Sequence, residues 1–302
     1  MDRTPDHLLI LGGGYVGLEL GQAARRLGSR VTVIEQGPQL VSREDQDVGE
    51  GQLELFRDEG IDVLLRARLL KVTGASGDSL RADIDQDGQQ RSIDASDLLV
   101  ATGRTPNTRL IGLEESGVQL DEKGYIRVND RLETTAPGVW AMGECAGSPQ
   151  FTHVSFDDFR VVHDNLEGGN RTTRDRLVPY CIFTDPELAR VGLNERQARQ
   201  RGIAYRVAKM PAKSVLRTLT FSETRGFLKM LIEDRGNRIL GFTAFATGAG
   251  DLMAIVQTAM LNGAPFFTLR DTIFTHPTMA EGLIGLLAGV EVRQTVAQGR
   301  TN

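Results

Sequence analysis

Three glycines, Gly12, Gly14 and Gly17, stand at the spacing G-x-G-x-x-G between a short apolar run and an amphipathic one. At such a junction the first glycine allows a tight turn, the second lets the backbone approach a pyrophosphate, and the third lets a helix pack close to a sheet. The helix N-terminus adds unpaired N–H groups and partial positive charge. Dinucleotide binding is the chemistry this pattern supports; a glycine-rich turn without a ligand is the alternative. Glu35 ends the next β-prone run, where a carboxylate accepts hydrogen bonds from adenosine ribose hydroxyls and repels a 2′-phosphate. NADH is therefore favoured over NADPH. Arg43, the next basic residue, either softens that preference or is a solvated loop residue. At the other end of the chain His276 precedes Pro277, which places an imidazole just ahead of a helix. Glu281 meets it only if the histidine folds back over the first turn.

The elements that must hold these residues follow from hydrophobic periodicity. Residues 7–11 read as a strand, 15–27 as a helix with Gly28 as its C-terminal cap, and 30–34 as a second strand. This βαβ unit demands a parallel sheet. A helix over 46–59 and a strand over 62–65 continue the alternation; an antiparallel excursion spans 68–93, and a strand over 97–102 closes on GRTPN. After Gly124, GYIRVN and VWAMGE read as two edge strands, and the polar stretch 167–179 as a boundary. Strands near 178–184, 204–210, 226–233 and 239–246, with helices near 194–201, 250–262 and 277–289, describe an α+β unit with an antiparallel sheet. Leu252, Ile255, Val256, Ala259 and Met260 form a helical apolar stripe that suits a core or an interface. Arg196, Arg199 and Arg201 read as the solvated end of a helix.

Length and composition bound the answer. At ~150 residues per domain, 302 residues suggest about two domains with room for a smaller third. With 40% apolar and 25% charged residues the chain is neither disordered nor fibrous. A net charge of −5 argues against broad binding to nucleic acid or anionic membrane. The longest oily stretch, 283–290, is far short of the ~20 residues that span a bilayer, and no leader is visible. Cys145 and Cys181 fit neither a disulfide scaffold nor a zinc spacing, so reduced thiols in the cytoplasm are expected. His7, His153, His163 and His276 show no paired ligand spacing, and no protein-held metal is expected.

GGGYVGLE, VIE, ATGRTPN, VWAMGECAG and THPTMAEG occur in one order along the chain. In that order and approximate spacing the sequence resembles the flavin-dependent pyridine nucleotide-disulfide oxidoreductases, the dihydrolipoamide dehydrogenase and glutathione reductase group. QFTHVSFDDFR and RDTIFTHPTMAEG look closest to the branch with mercuric-reductase-like enzymes and the reactive-chlorine-responsive reductase. The resemblance implies an α/β fold in three parts: a Rossmann-like NAD(P)H-binding domain over 1–109, a return segment of an FAD-binding domain over 110–174, and a C-terminal α+β dimerisation domain over 175–302. It implies FAD and NADH as cofactors, a homodimer, and a small-molecule or metal-ion electron acceptor.

The resemblance also assigns residues. Tyr15 would lie over the flavin and move when nicotinamide arrives, with Val16 beside it in the loop motif. Glu19 would pair with a lysine beside the flavin; read alone, it is a first-turn acid favouring the helix dipole. Gly103 and Arg104, after Ala101 and Thr102, match a strand end packed against both nucleotide sites, or a plain strand terminus. Gly143 and Glu144 stand where the family has Gly-Asp contacting the flavin ribityl chain, one methylene longer here. His276, held by Glu281, would act as acid–base toward the redox thiol of a partner subunit, since an imidazole near pKa ~6.5 can trade protons with a thiol near ~8.5. The family's preceding flavin-binding half, with its CxxxxC disulfide, is not in this sequence. A truncated form is therefore expected, or a chain completed by another polypeptide, with a non-catalytic NADH-binding and dimerisation module as the alternative reading. Strands of 110–174 left without sheet partners would expose open edges.

Overall fold

In the computed structural model, which describes residues 3–293, the apolar run His7–Leu11 is strand β1, buried along nearly its whole length as a central parallel strand must be. Helix α1 (Tyr15–Arg26) follows, then β2 (Arg30–Ile34), α2 (Gln46–Asp58) and β3 (Asp62–Leu64). Gly28, just past the end of α1, takes φ +105°, which a side chain would resist. Strands β4 (Ala67–Ala75), β5 (Ser79–Gln86) and β6 (Gln89–Ala95) form an antiparallel sheet, and β7 (Asp97–Val100) returns to the first. The parallel sheet runs β3-β2-β1-β7, with Ile10 opposite Val33 on one side and Leu99 on the other.

Alternation along β1 divides the core. Leu8 and Ile10 pack with Leu18, Val33, Leu55 and Phe56, whereas Leu9 faces Ile34, Ala67, Leu80 and Ile84. Each such side chain, fully buried, contributes about 1.5–3 kcal/mol of transfer free energy.

The described residues fall into two compact units: the chain up to Thr102 together with the chain from Pro179 onward, and Gly103–Val178. In the second unit the two expected edge strands are absent. GYIRVN and VWAMGE make only isolated bridges, Leu120 with Ile126, Val128 with Thr134 and Glu133 with Trp140. Asp121 and Asn129 explain this, because their side chains accept backbone N–H groups across tight turns and close each segment on itself. The expected open sheet edges are therefore not found among the described residues of 110–174. The regular element there is α3 (Thr152–Leu166), which sequence periodicity did not reveal.

Beyond Pro179 come β8 (Tyr180–Ile182), β9 (Glu187–Gly192), α4 (Glu195–Gln200), β10 (Tyr205–Pro211), α5 (Leu216–Thr220), β11 (Phe227–Glu233), β12 (Ile239–Ala246), α6 (Ala249–Leu261), α7 (Phe266–Arg270) and α8 (Gly282–Leu287). The five strands form one antiparallel sheet in the order β10-β11-β12-β9-β8. Of the apolar stripe on α6, Leu252 and Val256 are buried where the helix packs on β9 and β12, so they are core. Ile182, Leu188, Phe227 and Phe245 join the cluster that holds Leu8, Leu18 and Phe56, so the N-terminal fold and the C-terminal sheet share one apolar core.

Candidate functional site

The turn between β1 and α1 explains its own glycines. Gly12 has φ +110°, and a Cβ there would lie 2.5 Å from the Ala101 carbonyl oxygen. A Cβ on Gly17 would lie 2.3 Å from the Gly12 carbonyl oxygen, so only glycine lets α1 approach the strand this closely. Gly14, which caps α1, is different: a Cβ there meets no protein atom within 4 Å. Packing therefore does not demand glycine at that position. Tyr15 and Val16 open the helix, both half-buried, with Tyr15 against the shared core.

Glu35 sits beside this loop. Its Oε2 accepts the Gly13 N–H at 2.7 Å and its Oε1 accepts the Gly37 N–H at 2.6 Å. A carboxylate offers about four acceptor positions, so two are still available to hydroxyl donors. Glu19 lies in the second turn of α1, not the first, so the helix-dipole reading fails. Its Oε1 instead accepts the Phe183 N–H at 2.8 Å. The same helix face grips the next residues: Gln22 accepts the Asp185 N–H and donates to the Asp185 carbonyl, at 2.8 and 2.9 Å, and Arg26 pairs with the Asp185 carboxylate at 2.6 Å.

The histidine end needs one correction. Pro277 does not open a helix; α8 begins only at Gly282, with Glu281 as its cap. Between them Gly282, Leu283 and Ile284 donate to carbonyls three residues back, and the Thr278 hydroxyl donates to the Thr275 carbonyl, so tight turns replace the first helical turns. These turns bring the expected pair together. His276 Nδ1 and Glu281 Oε2 are 2.8 Å apart, and the side chain is 65% exposed, so one ring nitrogen is engaged with the carboxylate while most of the ring is open to solvent.

In the second unit Gly103 has φ +129° and Arg104 pairs with Glu144 at 2.8 Å. Gly143 has φ +74°; its N–H donates at 2.7 Å to the fully buried Asp158, and Glu144 opens a short 3₁₀ turn. Arg176 holds the other oxygen of Asp158. Asp158 on α3 is thus the support of this turn.

Residues that sequence reasoning passed over fasten the connection between β2 and α2. Lys229, wholly buried on β11, donates to Asp45 at 2.8 Å, to Asp47 at 2.8 Å and to Glu195 at 3.2 Å. Burial works against that charge, yet Asp45 and Asp47 hold it above the ordinary lysine range. Burial also pushes Asp45 up, but Lys229 and the N–H groups of Arg196 and Glu195 outweigh it and hold the carboxyl below its usual range. Arg190 on β9 pairs with buried Glu44 at 2.9 Å, and the Tyr180 hydroxyl donates to the same carboxylate. Burial, then the Glu44 charge, pushes the Tyr180 hydroxyl far up. Arg196 is not at a solvated helix end; it lies in the first turn of α4 and donates to the carbonyls of Ser42 and Arg43. The N-E-R-Q capping box at 194–197 was the one sequence signal for α4's role, with Asn194 and Gln197 satisfying each other's backbone.

Cys145 and Cys181 are both thiols, and burial pushes Cys181 up to about 12. Among the described residues no group of three or more metal-ligating side chains gathers, and no helix is long and apolar enough to cross a membrane.

A parallel sheet with a glycine turn, joined to an antiparallel C-terminal sheet, defines the class. Residues 1–158 match the pyridine nucleotide-disulphide oxidoreductase family and residues 178–285 match its dimerisation domain; the chain belongs to that family. Its members are FAD-dependent enzymes that use NAD(P)H. It is 39% identical over 293 residues to the probable pyridine nucleotide-disulfide oxidoreductase RclA of Escherichia coli strain K12, covering 96% of this chain and 65% of that protein. It is 37% identical to dihydrolipoyl dehydrogenase of Thermus scotoductus and 38% identical to mercuric reductase of Streptomyces lividans, each over 94% of this chain and, respectively, 61% and 60% of the relative. The solved structure of the HOCl-induced flavoprotein disulfide reductase RclA from Escherichia coli superposes with a TM-score of 0.89 at 37% identity, over 96% of this chain and 66% of that one. The chain thus spans about 60–65% of the length of these curated relatives.

Proposed function

We propose that this chain is the NADH-binding and dimer-forming part of a cytoplasmic flavoprotein oxidoreductase that passes electrons from NADH through FAD to a disulfide, quinone-like or metal-ion acceptor. The observation that carries the reading is the β1–α1 turn: Gly12 and Gly17 are required by backbone contacts, whereas Gly14 opens onto space that no protein atom fills. That space, the N–H groups opening α1 and the two remaining acceptor positions of Glu35 fit a dinucleotide's diphosphate and ribose. Glu35 favours NADH, because its charge opposes a 2′-phosphate. Tyr15, at the first position of α1, would lie over the flavin and move when nicotinamide arrives.

Bound flavin supplies a two-electron carrier between reduced nicotinamide and a disulfide. Gly103, Arg104, Gly143 and Glu144 are the residues of this chain that would hold it, with the Glu144 carboxylate as acceptor for a hydroxyl-bearing chain. Asp158 keeps that carboxylate's turn in place through the Gly143 N–H. Glu281 fixes the His276 ring, so that Nε2 takes or returns a proton at a thiol of a second subunit.

Titration calorimetry with NADH tests the binding step: saturable heat is expected, and its absence on folded protein would sink the reading. Absorbance of the same sample separates catalysis from binding. A yellow protein that oxidises NADH supports the enzyme, whereas a colourless one that quenches nicotinamide fluorescence supports a binding module alone.

A further inference from the structure

The connection between β2 and α2 is held from outside the parallel sheet. The Val41 N–H donates to the Gly13 carbonyl at 2.9 Å, and Gly13 in turn donates to Glu35. Val41 has φ +45°, a region that β-branched residues avoid, so its surroundings must hold it there. The next two carbonyls are taken by α4 and its cap. Ser42 accepts from Arg196 Nη1 at 2.6 Å; Arg43 accepts from Arg196 Nη2 at 2.9 Å and from Asn194 Nδ2 at 3.0 Å. Asp45 then accepts the N–H groups of Glu195 and Arg196, at 3.1 and 3.0 Å. A loop that would flank the adenosine ribose is therefore tied, residue after residue, to the C-terminal segment.

We propose that Arg196 and Asn194 are positioning residues for dinucleotide affinity. By holding the carbonyls of Ser42 and Arg43 they keep Val41 on the Gly13 carbonyl, and so keep the glycine turn and Glu35 in their binding arrangement before ligand arrives. The planar guanidinium reaches two successive carbonyls at once, a geometry that a lysine ammonium does not reproduce. Such preorganisation shows as affinity, because ordering that is already present is not lost on binding. The inference rests on the nucleotide reading above.

Arg196 is exposed, so Arg196→Ala removes the fork without opening the core. The NADH dissociation constant, measured by calorimetry on the full chain, is expected to rise about five- to tenfold, with Arg196→Lys intermediate and the thermal midpoint within about 2 °C of the unaltered chain. Arg201→Ala, at the far end of α4, should leave the affinity unchanged. Hydrogen exchange without ligand gives a second readout: the Gly13 and Val41 amides should exchange faster in Arg196→Ala, while those of Leu9 and Ile10 keep their rates. An affinity within twofold of the unaltered chain overturns the inference and leaves the nucleotide reading standing. Equal acceleration throughout β1 overturns it as well, since the effect would then be general loosening. Failure of the unaltered chain to bind NADH overturns both.

Discussion

Two glutamates stand beside glycine turns in this molecule, and they are held in opposite ways. Glu35 is fixed by two backbone N–H groups, and among the described residues no cation pairs with it. Glu144 is paired with the guanidinium of Arg104, both side chains partly exposed. The first has acceptor positions left over beyond its two backbone donors; the second shares its charge with a neighbouring guanidinium. The turns differ too. Gly12 and Gly17 are forced by backbone oxygens, whereas a Cβ on Gly143 would meet the Ser155 hydroxyl, a side chain that can move. Residue type alone does not distinguish a carboxylate held by backbone N–H groups from one paired with a cation.

The largest expected effect comes from the turn itself. Gly17→Ala should destabilise the chain by about 3 kcal/mol in denaturant unfolding, because a backbone oxygen cannot step aside. Gly14→Ala should cost about 1 kcal/mol at most as a cap change, yet weaken NADH binding; equal stability losses would remove the distinction between the two glycines. Next, Glu35→Ala should weaken NADH about 10- to 100-fold, the loss expected for hydrogen bonds to a charged group. Glu144→Ala should leave NADH affinity within twofold; a matched loss would erase the contrast between the two carboxylates.

Acid probes the same contrast at buried positions. Asp45 and Asp47 are held below their ordinary range: burial raises each, but Lys229, with Lys209 at Asp47 and two backbone N–H groups at Asp45, more than reverses this. Their stabilisation is complete above the unfolded pKa of ~3.9 and is lost as pH falls through the lower folded values. Circular dichroism should therefore show native structure down to about pH 4 and loss below it; a transition centred near pH 6 would contradict the assignment. The smallest effect concerns Cys181. With its thiol pushed up to about 12, alkylation should be slow at neutral pH and rise roughly tenfold per pH unit until that value. Rapid labelling of Cys181 at pH 8, followed by peptide mapping, would show that burial does not protect it.

Much of the fold was legible because period and punctuation agreed. β1, β2 and β12 fall where alternation placed them, and α1 ends one residue short of the expected bound, with Gly28 capping it. The failures have physical causes. α3 buries Val154, Asp158 and Val161 while Phe156 and Phe159 are exposed, so its apolar residues do not mark its inner face. β9 carries Arg190, buried only because Glu44 neutralises it from a distant part of the chain. The meeting of His276 with Glu281 was foreseen, but by way of a helix start that the turns replace. The fastening of 42–45 could not be read at all, since it depends on carbonyls whose partners lie about 150 positions away.

Gln22 meets both the N–H and the C=O of Asp185, much as a neighbouring strand would. A side chain imitating a peptide unit makes α1 a stay between the glycine turn and the start of the five-stranded sheet. Rotation of α1 about its axis would therefore have to drag residues 183–185 along or forfeit a matched donor and acceptor together. Any displacement of the helix at its glycine turn would thus be felt at the first turn after β8.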